Sequence, residues 1–119
     1  MTDMPADIDC IARELGATLQ QIRDAQQGQE FLEIMGKVRD LSYKAFSYIA
    51  DQKNDTPLET AESIIASLRR NIATMRLRRR EIGVLDTNAY DALESRIANN
   101  FLCTYYRVNR KAMTFSTHD

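Results

Sequence analysis

Apolar residues recur at intervals of three and four along most of this chain, which is the period of an α-helix with one buried face. The pattern falls into four blocks, at residues 6–26, 30–52, 57–81 and 88–113. It changes phase at Gly28 and is interrupted at the polar segment 51–57 and at Gly83. We therefore predict four helices joined by short links, with a frayed tail over 114–119.

Short links between long helices favour an all-α fold, an antiparallel up-down-up-down four-helix bundle. The alternative is a three-helix protomer in which the first two blocks form one long kinked helix, and such a protomer would dimerise. The 119 residues suit a single domain. They include only 4 Gly and 2 Pro, too few for a β fold with many hairpin turns.

The apolar stripe of each block predicts which residues form the core. In chain order, the predicted core residues are Ile8, Ile11, Leu15, Leu19 and Ile22; Phe31, Ile34, Met35, Val38, Leu41, Ala45 and Ile49; Leu58, Ala61, Ile65, Leu68, Ile72 and Met75; and Tyr90, Leu93, Ile97, Phe101, Tyr105 and Val108.

Local signals mark the predicted joints between the helices. Gly28 suits the left-handed C-cap that often ends a helix. Thr56, Pro57 and Glu59 together predict a capping-box start for the third helix. The segment 86–88, Asp-Thr-Asn, offers three residue types that favour the N-cap of the fourth helix.

An unusual run of arginines occupies the end of the predicted third helix. Arg76 and Arg79 project into the arc that is apolar earlier in that helix. In an up-down bundle this end lies beside the end of the first helix and the starts of the second and fourth, where carboxylates are available to compensate it. Either those carboxylates neutralise the cluster or the cluster is a docking surface. The arginines are Arg69, Arg70, Arg76, Arg78, Arg79 and Arg80, and the carboxylates are Asp24, Glu30, Glu33, Asp86, Asp91 and Glu94.

The charge is divided unevenly along the chain. Residues 1–60 carry 6 basic and 11 acidic side chains, whereas residues 61–119 carry 10 basic and 6 acidic ones. The second half is therefore the part suited to an acidic partner.

Adjacent tyrosines, Tyr105 and Tyr106, point about 100° apart on a helix. Both are hard to bury in one core, and tyrosine is enriched at protein interfaces. We predict that these two residues help to anchor a partner. Tyr43, Phe46 and Tyr48 on the second block form a similar aromatic set.

Residues for catalysis and metal binding are scarce. His118 is the sole histidine and falls in the predicted tail, and Cys10 and Cys103 are far apart. We expect no catalytic centre, no metal site and no cofactor. We also expect the two cysteines to be separate, because their predicted helix positions are offset by about 9 Å.

These features together predict a small protein-interaction module: an adaptor, regulator, inhibitor or chaperone-like subunit that docks an acidic protein partner through the basic end of the third helix. A homodimer is also expected. The alternative is a nucleic-acid-binding regulator that places the same arginines on phosphates. A third class is an enzyme that uses arginine and carboxylates without histidine. The acidic first residues and the lack of a long apolar run predict a cytoplasmic protein without a membrane span.

Overall fold

Four helices make up almost all of the described structure. The computed structural model describes residues 8–51, 53–83 and 85–117, with side chains up to Arg110. These residues form helices and no strands, which confirms the all-α prediction. Residues 25–27 are not helical, so the first two blocks form separate helices. The helices are α1 (Ile8–Asp24), α2 (Gly28–Ala50), α3 (Leu58–Glu81) and α4 (Thr87–Thr117).

The ends of the chain differ somewhat from the prediction. The predicted start of the first helix at residue 6 lies outside the described residues, as does His118. α4 continues to Thr117 although we predicted a frayed tail from residue 114. The segment 110–117 contains neither Gly nor Pro, so no residue in it stops the helix. Within the described part of the chain, no helix has the length and apolar character needed to cross a membrane.

The helices form two antiparallel hairpins, α1–α2 and α3–α4, which stack on each other. α1 packs on α3, and α2 packs on α4. Within each stacked pair the helices run in the same direction. Leu15 of α1 and Ala25, which follows α1, contact Asn71 and Arg78 of α3 in that order. Ser42 and Ala50 of α2 likewise contact Asn100 and Arg107 of α4 in that order. The directions therefore alternate up-down-up-down, as predicted.

The link between the hairpins connects diagonal corners of the bundle. α2 and α3 make only a minor contact, and α1 and α4 have none among the described residues. Short links predicted that consecutive helices would lie side by side, and for α2 and α3 this is wrong. The seven residues of segment 51–57 can span up to about 24 Å. The diagonal of a bundle with helices about 10 Å apart is about 14 Å, so this segment is long enough to connect diagonal helices.

The predicted stripes line the interior of the bundle. Most of their residues are buried, and full burial of each such side chain contributes about 1.5–3 kcal/mol. Ile64 is also buried, although it lies outside the predicted stripe. The stripe residues that are only half-buried are Leu19, Leu58, Leu93, Phe101 and Tyr105.

A buried polar bridge joins each stacked pair of helices. Between α1 and α3, the Thr18 hydroxyl donates to Asn71 Oδ1 at 2.9 Å, and Asn71 Nδ2 donates to the Leu15 carbonyl at 3.0 Å. Between α2 and α4, Asn100 Nδ2 donates to Ser42 Oγ at 2.9 Å. Each bridge thus pairs a hydroxyl of the first hairpin with an asparagine of the second.

Two of the three predicted helix-end signals are wrong. Gly28 is the first residue of α2, and the described glycines have no positive φ, so it is not a left-handed C-cap. α3 begins at Leu58 after Pro57, without a side-chain cap. The Thr56 hydroxyl is instead buried, with no hydrogen-bond partner among the described residues. Asp86 does cap α4, since its carboxylate accepts the Ala89 N–H at 3.1 Å.

Candidate functional site

The basic end of α3 lies beside the end of α1 and the start of α4. Arg76 Nε donates to Glu94 at 3.0 Å, and Arg79 Nη1 lies 3.6 Å from Asp91. These contacts bring two of the six predicted carboxylates to the arginines.

Arg78 is held by Ala25, the residue that follows α1. Its Nε and Nη2 both donate to the Ala25 carbonyl, the former at 3.1 Å, and Nη1 donates to Glu81 at 3.1 Å. Because the last carbonyls of a helix lack partners within it, a guanidinium here satisfies an otherwise unpaired acceptor. Arg78 is a half-buried structural residue of the bundle.

The remaining carboxylates of the predicted set make other contacts. Asp24 accepts from the Gln20 side chain at 3.1 Å, and Glu30 accepts from the Gln26 N–H at 2.9 Å. Asp86 caps α4. Glu33 borders an open groove of about 460 Å³ near the α1–α2 turn.

Tyr90 organises the contact between the basic end and α4. Its ring is fully buried, stacked 6.1 Å from the Phe31 ring, with the Arg79 guanidinium 4.3 Å from its centroid. The hydroxyl donates to Glu94 at 2.7 Å. Burial, and then the hydrogen bond to Glu94, raise the pKa of Tyr90 well above its usual range, so this phenol stays neutral.

A second cluster lies farther along the α3–α4 hairpin, around Arg69. The Arg69 guanidinium carbon is 5.6 Å from the Phe101 centroid and 5.8 Å from the Tyr105 centroid. The Tyr105 ring meets the Tyr106 ring edge to face at 6.0 Å. Tyr106 is 66% exposed, and Leu102, one turn earlier, is 46% exposed. Arginine and aromatic side chains therefore form one continuous surface.

The outer side of α3 carries two further exposed cations. Arg70 and Arg80 are exposed and have no carboxylate partner among the described residues. Leu77, which lies between them, is 60% exposed. We call the set of Arg69, Arg70, Leu77, Arg80, Leu102, Tyr105 and Tyr106 the docking surface.

The structure thus separates the predicted site residues into two groups. Arg76, Arg78 and Arg79 make ion pairs or hydrogen bonds within the bundle. Arg69, Arg70, Arg80, Tyr105 and Tyr106 belong to the docking surface. The sequence pattern assigns none of Leu77, Phe101 and Leu102 to a site. Leu77 and Leu102 fall outside the apolar stripes, which is a usable signal for exposed apolar residues.

The remaining chemical groups are dispersed. Cys10 and Cys103 lie on diagonal helices and form no disulfide. Where the structure describes side chains, no three His, Cys, Asp or Glu residues are grouped to hold a metal ion. An open groove of about 300 Å³ runs between α1 and α2, bordered by Glu14, Lys37 and Asp40.

Comparison of the chain with models of known protein families, with curated proteins and with solved structures found no match.

Proposed function

We propose that this chain is a protein-interaction module that binds an acidic segment of a partner protein through its docking surface. One observation carries the proposal: Arg69, Arg70 and Arg80 have no carboxylate partner among the described residues, and Arg69 lies against Phe101 and Tyr105 beside the exposed Tyr106 and Leu102. Arginine and tyrosine are the residue types that dominate the binding energy of protein interfaces. The basic end of α3 forms one border of this surface.

Charge favours an acidic partner over a second copy of the chain. In a symmetric dimer, the same surface of both copies would meet. The arginines of one docking surface would then face those of the other, which opposes association. The homodimer predicted from the sequence is therefore the second candidate occupant, and sedimentation of the purified protein tests it.

Nucleic acid is the alternative ligand for the same arginines. The exposed Tyr106 and Leu102 beside Arg69 favour the protein partner, because they offer contact area to a side chain that a phosphate backbone does not supply. We also propose a cytoplasmic location, which suits cysteines that are not joined in a disulfide.

The test is affinity purification from the native host with a charge-reversal variant, R70E/R80E. The matched control is R13E/R23E, which changes the net charge equally on the exposed side of α1. We expect the wild type and the control to recover the same acidic protein, and the R70E/R80E variant to lose it. Equal recovery by both variants would refute the proposal.

Nuclease treatment in parallel decides between the two ligand classes. A complex that disappears on nuclease digestion, with an affinity that falls steeply with salt, would assign the arginines to nucleic acid instead.

A further inference from the structure

We infer that Arg69 is the residue of the docking surface that recognises a partner's carboxylate, and that Tyr106 and Leu102 receive the apolar side chain next to it. This inference rests on the proposed function and specifies its ligand: an acidic side chain adjacent to an aliphatic or aromatic one.

The Arg69 guanidinium contacts two aromatic rings at once. It lies over both Phe101 and Tyr105, at 5.6 and 5.8 Å from their centroids. Both rings are half-buried and pack against the core, so they provide a rigid support. A guanidinium positioned before binding loses less conformational entropy when it captures a ligand.

The donors of Arg69 are available to a partner. Arg76, Arg78 and Arg79 each contact a carboxylate, whereas Arg69 contacts none among the described residues. The ring contacts of Arg69 leave its N–H groups without a hydrogen-bond acceptor among the described residues, so these donors remain for a ligand. Those groups match the two oxygens of a carboxylate in a bidentate pair.

Apolar surface continues directly from this arginine. Tyr106 contacts Tyr105, which contacts Arg69, and Leu102 lies one turn before Tyr106 on the same side of α4. Tyr106 and Leu102 are 66% and 46% exposed. A ligand that pairs its carboxylate with Arg69 therefore places a neighbouring side chain against these two residues.

The probe is a phage-displayed library of random linear peptides, selected on the purified wild-type protein. We expect the selected peptides to share Asp or Glu next to an aliphatic or aromatic residue. Synthetic peptides are then titrated by fluorescence anisotropy against R69K, which keeps the charge but removes the planar fork. We expect R69K to weaken binding about tenfold, and Y106A to weaken it similarly.

Two variants serve as matched controls. R96K changes another exposed arginine of the same hairpin, and Y43A removes a tyrosine of α2 that is 62% exposed. Both should bind the peptides like the wild type. Because all four positions are at least half exposed or lie outside the core, circular dichroism should show folded protein in each case.

Several results would overturn the inference. They are a selection without binders, binders that lack a carboxylate, or equal binding by R69K and R96K. The proposed function is judged separately by the R70E/R80E purification. Loss of the partner in that experiment, together with peptides that need Tyr106 but not Arg69, would retain the module and reject the carboxylate role.

Discussion

Thr18 and Asn71 share a hydrogen bond of 2.9 Å inside the bundle, across 53 positions of the chain. Both side chains are buried, and Asn71 also donates to the carbonyls of Leu15 and Ser67. If α1 slid by one turn along α3, these polar groups would face apolar side chains without partners. A buried unpaired polar group costs about 1–3 kcal/mol, so the bridge fixes the register of the two helices.

The two single substitutions in this bridge should together cost more stability than the double substitution does. We expect T18V to lower the free energy of unfolding by about 1 kcal/mol and N71L by about 2 kcal/mol, because each leaves a buried partner unpaired. T18V/N71L should lose at least about 0.5 kcal/mol less than the sum, since both polar groups are gone. Urea denaturation of the four proteins measures this, and strict additivity would show that the two residues act independently.

Arg78 should matter for stability and Arg80 should not. R78A removes the guanidinium that donates to the Ala25 carbonyl, and we expect a loss of about 1–2 kcal/mol. R80A removes an exposed side chain of the same helix, with an expected effect within about 0.5 kcal/mol. Thermal unfolding of the two variants compares them directly. Equal melting temperatures would mean that Arg78 does not anchor the end of α1.

Tyr90 should make the protein sensitive to high pH. Burial and the Glu94 hydrogen bond raise its pKa in the folded state. The Tyr90 phenol therefore ionises near pH 10 in the unfolded chain but stays neutral at that pH in the folded protein. As a result, the free energy of unfolding falls as pH rises above about 10.

The Y90F variant isolates this effect. Above about pH 10, the free energy of unfolding of the wild type should fall by up to about 1.4 kcal/mol per pH unit more than that of Y90F. Y43F, at an exposed position, is the control and should follow the wild type. Parallel pH profiles for wild type and Y90F, measured by urea denaturation, would exclude a role for this phenol.

Removal of the polar side-chain group should lower the stability of the protein at Asp86 but not at Thr56. Asp86 caps α4, so D86A should cost about 1 kcal/mol. The Thr56 hydroxyl is buried and unpartnered among the described residues, so T56V should be neutral or stabilising. A loss of about 1 kcal/mol in T56V would instead support the capping box that the sequence predicts.

Helical periodicity was sufficient to predict the fold class and most of the core, because burial of one helix face is a property of local sequence. The stacking of α1 on α3 depends on contacts between residues more than fifty positions apart, such as Thr18 and Asn71. A local pattern carries little information about such pairs. The one available sign was a polar residue inside an apolar stripe: Asn71 is three positions after Leu68 and four before Met75.

The sequence predicted the arginines and tyrosines of the candidate site, but not which of them contact the rest of the bundle. The arginines form one group in the sequence, yet Arg78 turns toward α1 and Arg69 lies over aromatic rings of α4. Which arginine pairs with the bundle and which faces outward depends on the angle of each residue relative to its neighbouring helices. That angle became known only when the partners of α3 were known.

The stacking of the two hairpins also constrains the order of events during synthesis. When α1 and α2 have left the ribosome, the helices that cover their inner faces have not yet emerged from it. Phe31 cannot stack on Tyr90, and Ser42 cannot accept the hydrogen bond from Asn100, until α4 has emerged. The first hairpin therefore emerges with apolar surface uncovered, and the nascent chain completes its fold only after most of α4 has been translated.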